Sequence, residues 1–262
     1  MGTVNIKYQR KNITVRGKSV VGLMYKKSGL KEFSPEVLGL ENIGAESKQI
    51  GVIAAAFDLS GFTSFCGQVD PHLSMPRFLK EFLDWLFEEI KSELELRRLG
   101  EEIAFYSEVP FFAKFMGDGV LFLWNTRNMD NIMICNIVTM LSDVCLKYGR
   151  DFVPKITGHL SYFPKSLRCG VACGNVCSVG NGEDYVGPCI NIASRLQKLS
   201  NLELCISRRG IDFEEGMVRG DVKTYVVKSV PIRGIGEEEL VIVQKSDFEK
   251  LSPEEKELFK DV

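Results

Sequence analysis

Two aspartates stand where acids are expensive. Asp58 closes the apolar run Gly51 to Phe57, GVIAAAF, and Asp118 sits in Gly117-Asp118-Gly119, between two strand-like stretches of the segment Val109 to Trp124. A buried carboxylate without a partner is costly. Asp58 therefore either caps the loop amides of Ser60-Gly61-Phe62-Thr63 or meets something cationic. Asp118 is either an ordinary Asp-Gly turn residue or one of a pair with Asp58, because two strands side by side place a strand end next to a hairpin tip. Two carboxylates, with no histidine or cysteine in either motif, suit hard, oxygen-seeking cations such as Mg2+ or Mn2+. Paired cations of this kind clamp the attacking and leaving oxygens of phosphoryl transfer. Gly61, just past the strand-end acid, allows backbone N–H groups to face an anion. Further on, Asn191 and Arg195 lie four apart in DYVGPCINIASR, residues 184–195. On a helix they share a face. That face suits a ribose and a phosphate; the alternative is a surface asparagine beside an arginine paired with a helix acid. Taken together, the three elements favour metal and nucleotide.

Regular elements must hold these residues. GVIAAAF has strand length and reads as a central strand buried on both faces. The segment 76–98 repeats apolar residues every three or four positions and predicts an amphipathic helix, with Ser74 as its N-cap. Asp-Gly at 118–119 predicts a hairpin. A second helix is expected over Asn131 to Tyr148, a strand over Leu167 to Ala172, and a turn and return over Gly174 to Gly182. A helix starts in Asn191 to Leu199. Strands follow at Leu202 to Ser207, Val222 to Val227, around Ile232, and at Leu240 to Val243. Ser252, Pro253 and Glu255 predict a capped C-terminal helix. Before all this, residues 13–25 alternate well enough for a short strand or hairpin about Gly17-Lys18. The order is α+β, with helices covering a largely antiparallel sheet.

The 262 residues are 45% hydrophobic and 26% charged, with net charge −2, ordinary for a globular protein. No global field draws the chain to nucleic acid or membrane. Residues 1–31 are the exception, holding eight Lys and Arg and no acid, either a solvated arm or a contact for an anionic partner. The eight cysteines form no C-x-x-C pair and only two histidines exist, which argues against a zinc site and for buried thiols in a reducing compartment. No apolar run approaches the ~20 residues of a membrane span, and no secretory leader is visible. The expected location is the cytoplasm of a bacterium.

In this order, FDLSGFT, KFMGDG, DYVGPCINIASRL and PIRGIGE resemble the catalytic domain of class III nucleotidyl cyclases, the adenylate and guanylate cyclase family. The resemblance implies a ferredoxin-like α+β domain acting as a homodimer, with active sites shared between subunits. It divides the chain into a basic extension, 1–48, a catalytic domain, 49–246, and a C-terminal helix, 247–262. It implies that Asp58, Asp118 and the Leu59 carbonyl bind two divalent cations, Mn2+ or Mg2+. It assigns the triphosphate to Gly61, Phe62, Thr63 and Arg233, the last in place of a more usual lysine. It gives the base to Lys114 and Asp184, the ribose to Asn191, and the reacting phosphorus to Arg195. The implied reaction is in-line attack of the 3′-OH on the α-phosphorus of a nucleoside triphosphate, releasing pyrophosphate.

Lys114 is the residue type expected of an adenylate cyclase. A closer likeness points elsewhere: GFTSFCGQVDPHLSMPRFLKEFLDWLF and CINIASRLQKL resemble the pyrimidine cyclases of bacterial Pycsar anti-phage systems, which implies a uridylate or cytidylate cyclase feeding a cyclic-nucleotide-responsive effector. A pyrimidine leaves purine space to fill, for which Phe115, Met116 and Tyr25 are candidates, the first two being expected in the core. A diguanylate cyclase would carry two adjacent acids where Gly119 follows Asp118. A catalytically dead nucleotide sensor would have lost a metal aspartate or Arg195.

Overall fold

The computed structural model describes residues 4–40, 42–68, 70–212 and 224–262. The chain forms two compact units, one of residues 1–49 with 177–186, the other of 50–176 with 187–262.

In the first unit, β1 (Tyr8–Val15) and β2 (Lys18–Tyr25) form an antiparallel hairpin in register Tyr8↔Tyr25 to Val15↔Lys18. Arg16 and Gly17 both take positive φ, 51° and 75°, the two-residue turn whose twist matches the strands. The hairpin anticipated over 13–25 is thus longer than its alternation suggested, and nearly all of it is exposed. The Tyr8 and Tyr25 rings lie 5.5 Å apart at its base.

The second unit is built on β3 (Gln49–Ser60), β6 (Phe112–Phe115), β7 (Gly119–Asn125), β8 (Ser166–Val179), β10 (Leu204–Ser207), β11 (Tyr225–Ile232), β12 (Gly236–Gln244) and β13 (Lys260–Asp261), in sheet order β13-β11-β12-β10-β8-β3-β7-β6. β10 runs parallel to β8, and β3–β7, β6–β7, β10–β12 and β11–β12 are antiparallel. A side hairpin, β4 (Glu95–Leu99) and β5 (Glu102–Phe105), follows the long helix α2 (Pro71–Leu94). The other helices include α1 (Phe62–Cys66), α3 (Asn131–Lys147), α4 (Val153–Thr157) and α5 (Pro188–Leu196). β9 (Asp184–Val186) pairs the end of β8 within the first unit.

Alternation along the strands sorts the two faces of the sheet. Ile53, Ala55, Phe57 and Leu59 of β3 join Phe122 and Trp124 of β7 and Cys169 and Val171 of β8 in one core with α2 and α3. Ala54, Ala56 and Asp58 point the other way. On that face Gly170 admits α5: a Cβ there would lie 2.0 Å from the Ala193 carbonyl oxygen. Among the described residues one helical stretch, Asn131 to Thr157, is long and apolar enough to cross a membrane, and over half of its most apolar 18 residues are buried in the protein.

Four expectations need correction. The long helix starts at Pro71 behind Asp70 rather than at Pro76, so Pro76 lies inside it. Ser74 is no cap; its Oγ accepts from Gln68 Nε2 at 2.6 Å. The helix stops at Leu94, where Glu95 turns extended (ψ 118°) and residues 95–99 pair as a strand. Finally, β8 does not turn at Gly174. That glycine makes room for Cys189, whose Cβ would lie 3.0 Å from an added Cβ, and the strand runs on to Val179. Of the strand expected over 222–227, Val222 and Lys223 lie outside the described residues, and β11 begins at Tyr225. The C-terminal turn Pro253–Lys256 carries the expected capping box between Ser252 and Glu255.

Candidate active site

Strand end and hairpin tip do meet. Asp58 is level with Gly119 in the β3–β7 register, and the Leu59 N–H donates to the Asp118 carbonyl at 2.9 Å. The hairpin closes through Met116 N–H to the Gly119 carbonyl at 2.8 Å, with Gly117 at φ 95°. Gly119 must be glycine, because a Cβ would lie 1.8 Å from the Phe57 carbonyl oxygen. Asp58 is 3% exposed, and Asp118 half-buried. Beyond β3, Gly61 turns the chain with φ 84° into α1, whose first N–H groups, at Phe62 and Thr63, have no acceptor within the helix. Lys114 sits half-buried on β6 opposite Leu121.

The cation that the Asp58 position called for is present, and the sequence reading missed it. Arg168 of β8 donates from Nη2 to Asp58 Oδ2. The signal was available: Arg168 is a lone charge inside the apolar stretch Leu167 to Ala172, just as Asp58 is a lone charge after GVIAAAF.

A second group gathers on α5 and the β11–β12 turn. Asn191 and Arg195 are exposed on one face, while Ile192, Ala193 and Leu196 are buried beneath. The Arg195 guanidinium lies beside the turn, Nη2 being 3.5 Å from the position of a Cβ on Gly234. Arg233 is the exposed neighbour in that turn. Asp184 belongs to the first unit, opening β9, where its carboxylate accepts from the Tyr185 N–H at 2.8 Å.

Register places Asp58, Arg168 and the turn along the sheet. Arg168 is adjacent to Cys169, which pairs with Leu204; Cys205 pairs with Val243. Asp58 and Arg168 are therefore level with the C-terminal end of β12, near Gln244. The Arg233–Gly234 turn precedes Gly236 at the other end of that strand. Arg195 meets that turn from α5, which itself packs along β8: a Cβ on Gly170 would lie 2.0 Å from the Ala193 carbonyl oxygen and 2.5 Å from the Gln197 N.

Among the described residues no three His, Cys, Asp or Glu side chains converge. Two carboxylates with a main-chain carbonyl at the same strand end nevertheless fit Mg2+ or Mn2+, which are held by one or two carboxylates while substrate phosphates complete the shell. Burial pushes the Cys135 thiol up to about 11 and the Cys173 thiol to about 12.

No protein-family model matches the chain, and no curated protein does. Solved structures do. The adenylyl cyclase CyaB from P. aeruginosa is 14% identical, over 76% of this chain and 96% of that one, with a TM-score of 0.56. The guanylyl cyclase Cya2 is 17% identical over 76% and 94%, TM-score 0.51. The guanylate cyclase domain of RhGC from Catenaria anguillulae, solved with GTP, is 17% identical over 76% and 98%, TM-score 0.50. The chain has the α+β fold of the class III adenylyl and guanylyl cyclase catalytic domains.

Proposed function

We propose that this chain is a nucleotidyl cyclase that converts a pyrimidine nucleoside triphosphate, UTP or CTP, to its 3′,5′-cyclic monophosphate and pyrophosphate. The observation that carries this reading is the pairing of β3 with the Asp118 hairpin, which sets Asp58 beside Asp118 at a strand end. Asn191 and Arg195 share the exposed face of α5, with Arg233 in the turn beside Arg195. A twofold dimer sets the aspartates of each copy against the α5 face of its partner and makes two equal sites. Asp58, Asp118 and the Leu59 carbonyl would hold two Mn2+ or Mg2+. Such cations, when bound, activate the 3′-OH and neutralise the departing pyrophosphate. The N–H groups of Gly61, Phe62 and Thr63 take triphosphate oxygens, and Arg233 adds a fixed positive charge. From the partner copy, Asn191 orients the ribose and Arg195 meets the charge that develops at phosphorus.

The pyrimidine assignment gains support from β6. Phe115 and Met116 are 42% and 36% exposed, so the core placement expected of them is wrong. They flank the tip that carries Asp118 and are available to fill space beside a small base. Lys114 and Asp184 are the base-reading candidates, and Lys114 is the observation that favours ATP as the second reading. The product serves as a second messenger in defence against phage, read by a separate cyclic-nucleotide effector in the bacterial cytoplasm. The test is incubation of the protein with ATP, GTP, CTP and UTP in turn, with Mn2+, and mass spectrometry of the products. Cyclic UMP or cyclic CMP is expected. A cyclic purine as sole product overturns the pyrimidine reading. No product from any triphosphate, for wild type and Asp58→Ala alike, leaves a nucleotide sensor.

A further inference from the structure

We infer that Arg168 is a built-in stand-in for the metal: it neutralises Asp58 whenever no cation is bound, and a divalent cation must displace it to bind. The inference rests on the reading of Asp58 as a metal ligand. Three observations carry it. Asp58 is almost fully buried and its carboxylate is bonded to Arg168. A carboxylate so placed needs a positive charge whether or not metal is present, and Arg168 supplies one from the adjacent strand. The arginine side chain keeps 19% of its surface exposed, against 4% for Asp58, so its fork lies at the edge of the site rather than sealed within it. Its Nε is buried with no hydrogen-bond partner. The guanidinium is thus held through its tip and gives up little else on leaving.

Two cations compete for one carboxylate. A bare divalent ion meets an occupied site and must expel a charged guanidinium, which then has no anion. An ion that arrives with a polyphosphate gives the freed guanidinium a new partner. Metal and nucleotide therefore bind with positive coupling, and the free ion binds weakly.

The test titrates nucleotide-free protein with Mn2+, followed by electron paramagnetic resonance, and follows melting with and without Mn2+. Arg168→Met is expected to bind free Mn2+ about ten-fold tighter or more, because the competing charge is gone. It is also expected to melt below wild type without metal and to gain more from Mn2+ than wild type does. Unchanged or weaker Mn2+ binding by Arg168→Met, with binding lost in Asp58→Asn, sinks the competition while leaving Asp58 a ligand. Mn2+ binding that persists in Asp58→Asn sinks the metal reading of Asp58 itself. Should Arg168→Met fail to fold in buffer, Mn2+ during refolding is expected to recover it. The double variant Asp58→Asn/Arg168→Met, with neither charge, is expected to fold without metal. Failure of both recoveries counts against the inference.

Discussion

Asp58 and Arg168 are single charges set into apolar strands, and at residue scale that contrast is the clearest mark of function in the chain. The first was legible because a lone acid after seven apolar residues has no cheap structural explanation. The second went unread because Leu167 to Ala172 was taken for its apolar members, and nothing in one sequence says that β8 lies beside β3. Arg195 is the sharper test of chemistry, since it is exposed and only its guanidinium is used. Arg195→Ala is expected to lose ~10²–10³ in turnover with its melting temperature unchanged. A fall in melting temperature that matches the loss of activity would falsify its assignment as a charge-stabilising residue.

At the scale of elements, glycines set how closely strands and helices approach. Gly119 lets the Asp118 hairpin seat against Phe57, with no room for a Cβ. Gly119→Ala is expected to destabilise the fold by at least the ~1–3 kcal/mol of an overpacked core, seen as a lower urea midpoint at unchanged slope. The hairpin could be foreseen from Asp-Gly between apolar runs. Gly174 could not be read correctly, because a glycine that makes room and a glycine that turns look alike until the packing partner, here Cys189, is known. The start of β10 offers a test of pH. The Asp247 carboxylate accepts from the Glu203 N–H at 2.7 Å. Burial raises Asp247, and burial with the Asp247 charge raises Glu203. A carboxyl raised on folding favours the native state at low pH, and that contribution fades as pH rises through the folded value. Asp247→Asn should therefore lose less stability than wild type as pH rises from about 4, the ordinary aspartate value, to 8, measured by urea unfolding. An equal or steeper loss would show that Asp247 does not titrate upward in the fold.

Across the whole molecule, the order of strands and helices was readable from periodicity. The seat of α5 was not, because nothing in one sequence says that Gly170 of β8 lies under Ala193. The proposed sharing of each site between two copies yields a complementation test. Asp58→Asn and Arg195→Ala chains, each inactive alone, are expected to recover about a quarter of wild-type activity when mixed and allowed to exchange. Half of the resulting dimers are mixed, and each mixed dimer has one intact site. Recovery no greater than the sum of the separate samples would place both halves of the site in one chain.

Under that proposed dimer, abundance is itself a control. Where chains are scarce compared with their dissociation constant, the number of complete sites follows the square of their concentration. Doubling synthesis then quadruples output, and modest dilution silences it. A signalling enzyme built this way needs no inhibitor to stay quiet at low copy number; it is off because its halves rarely find each other.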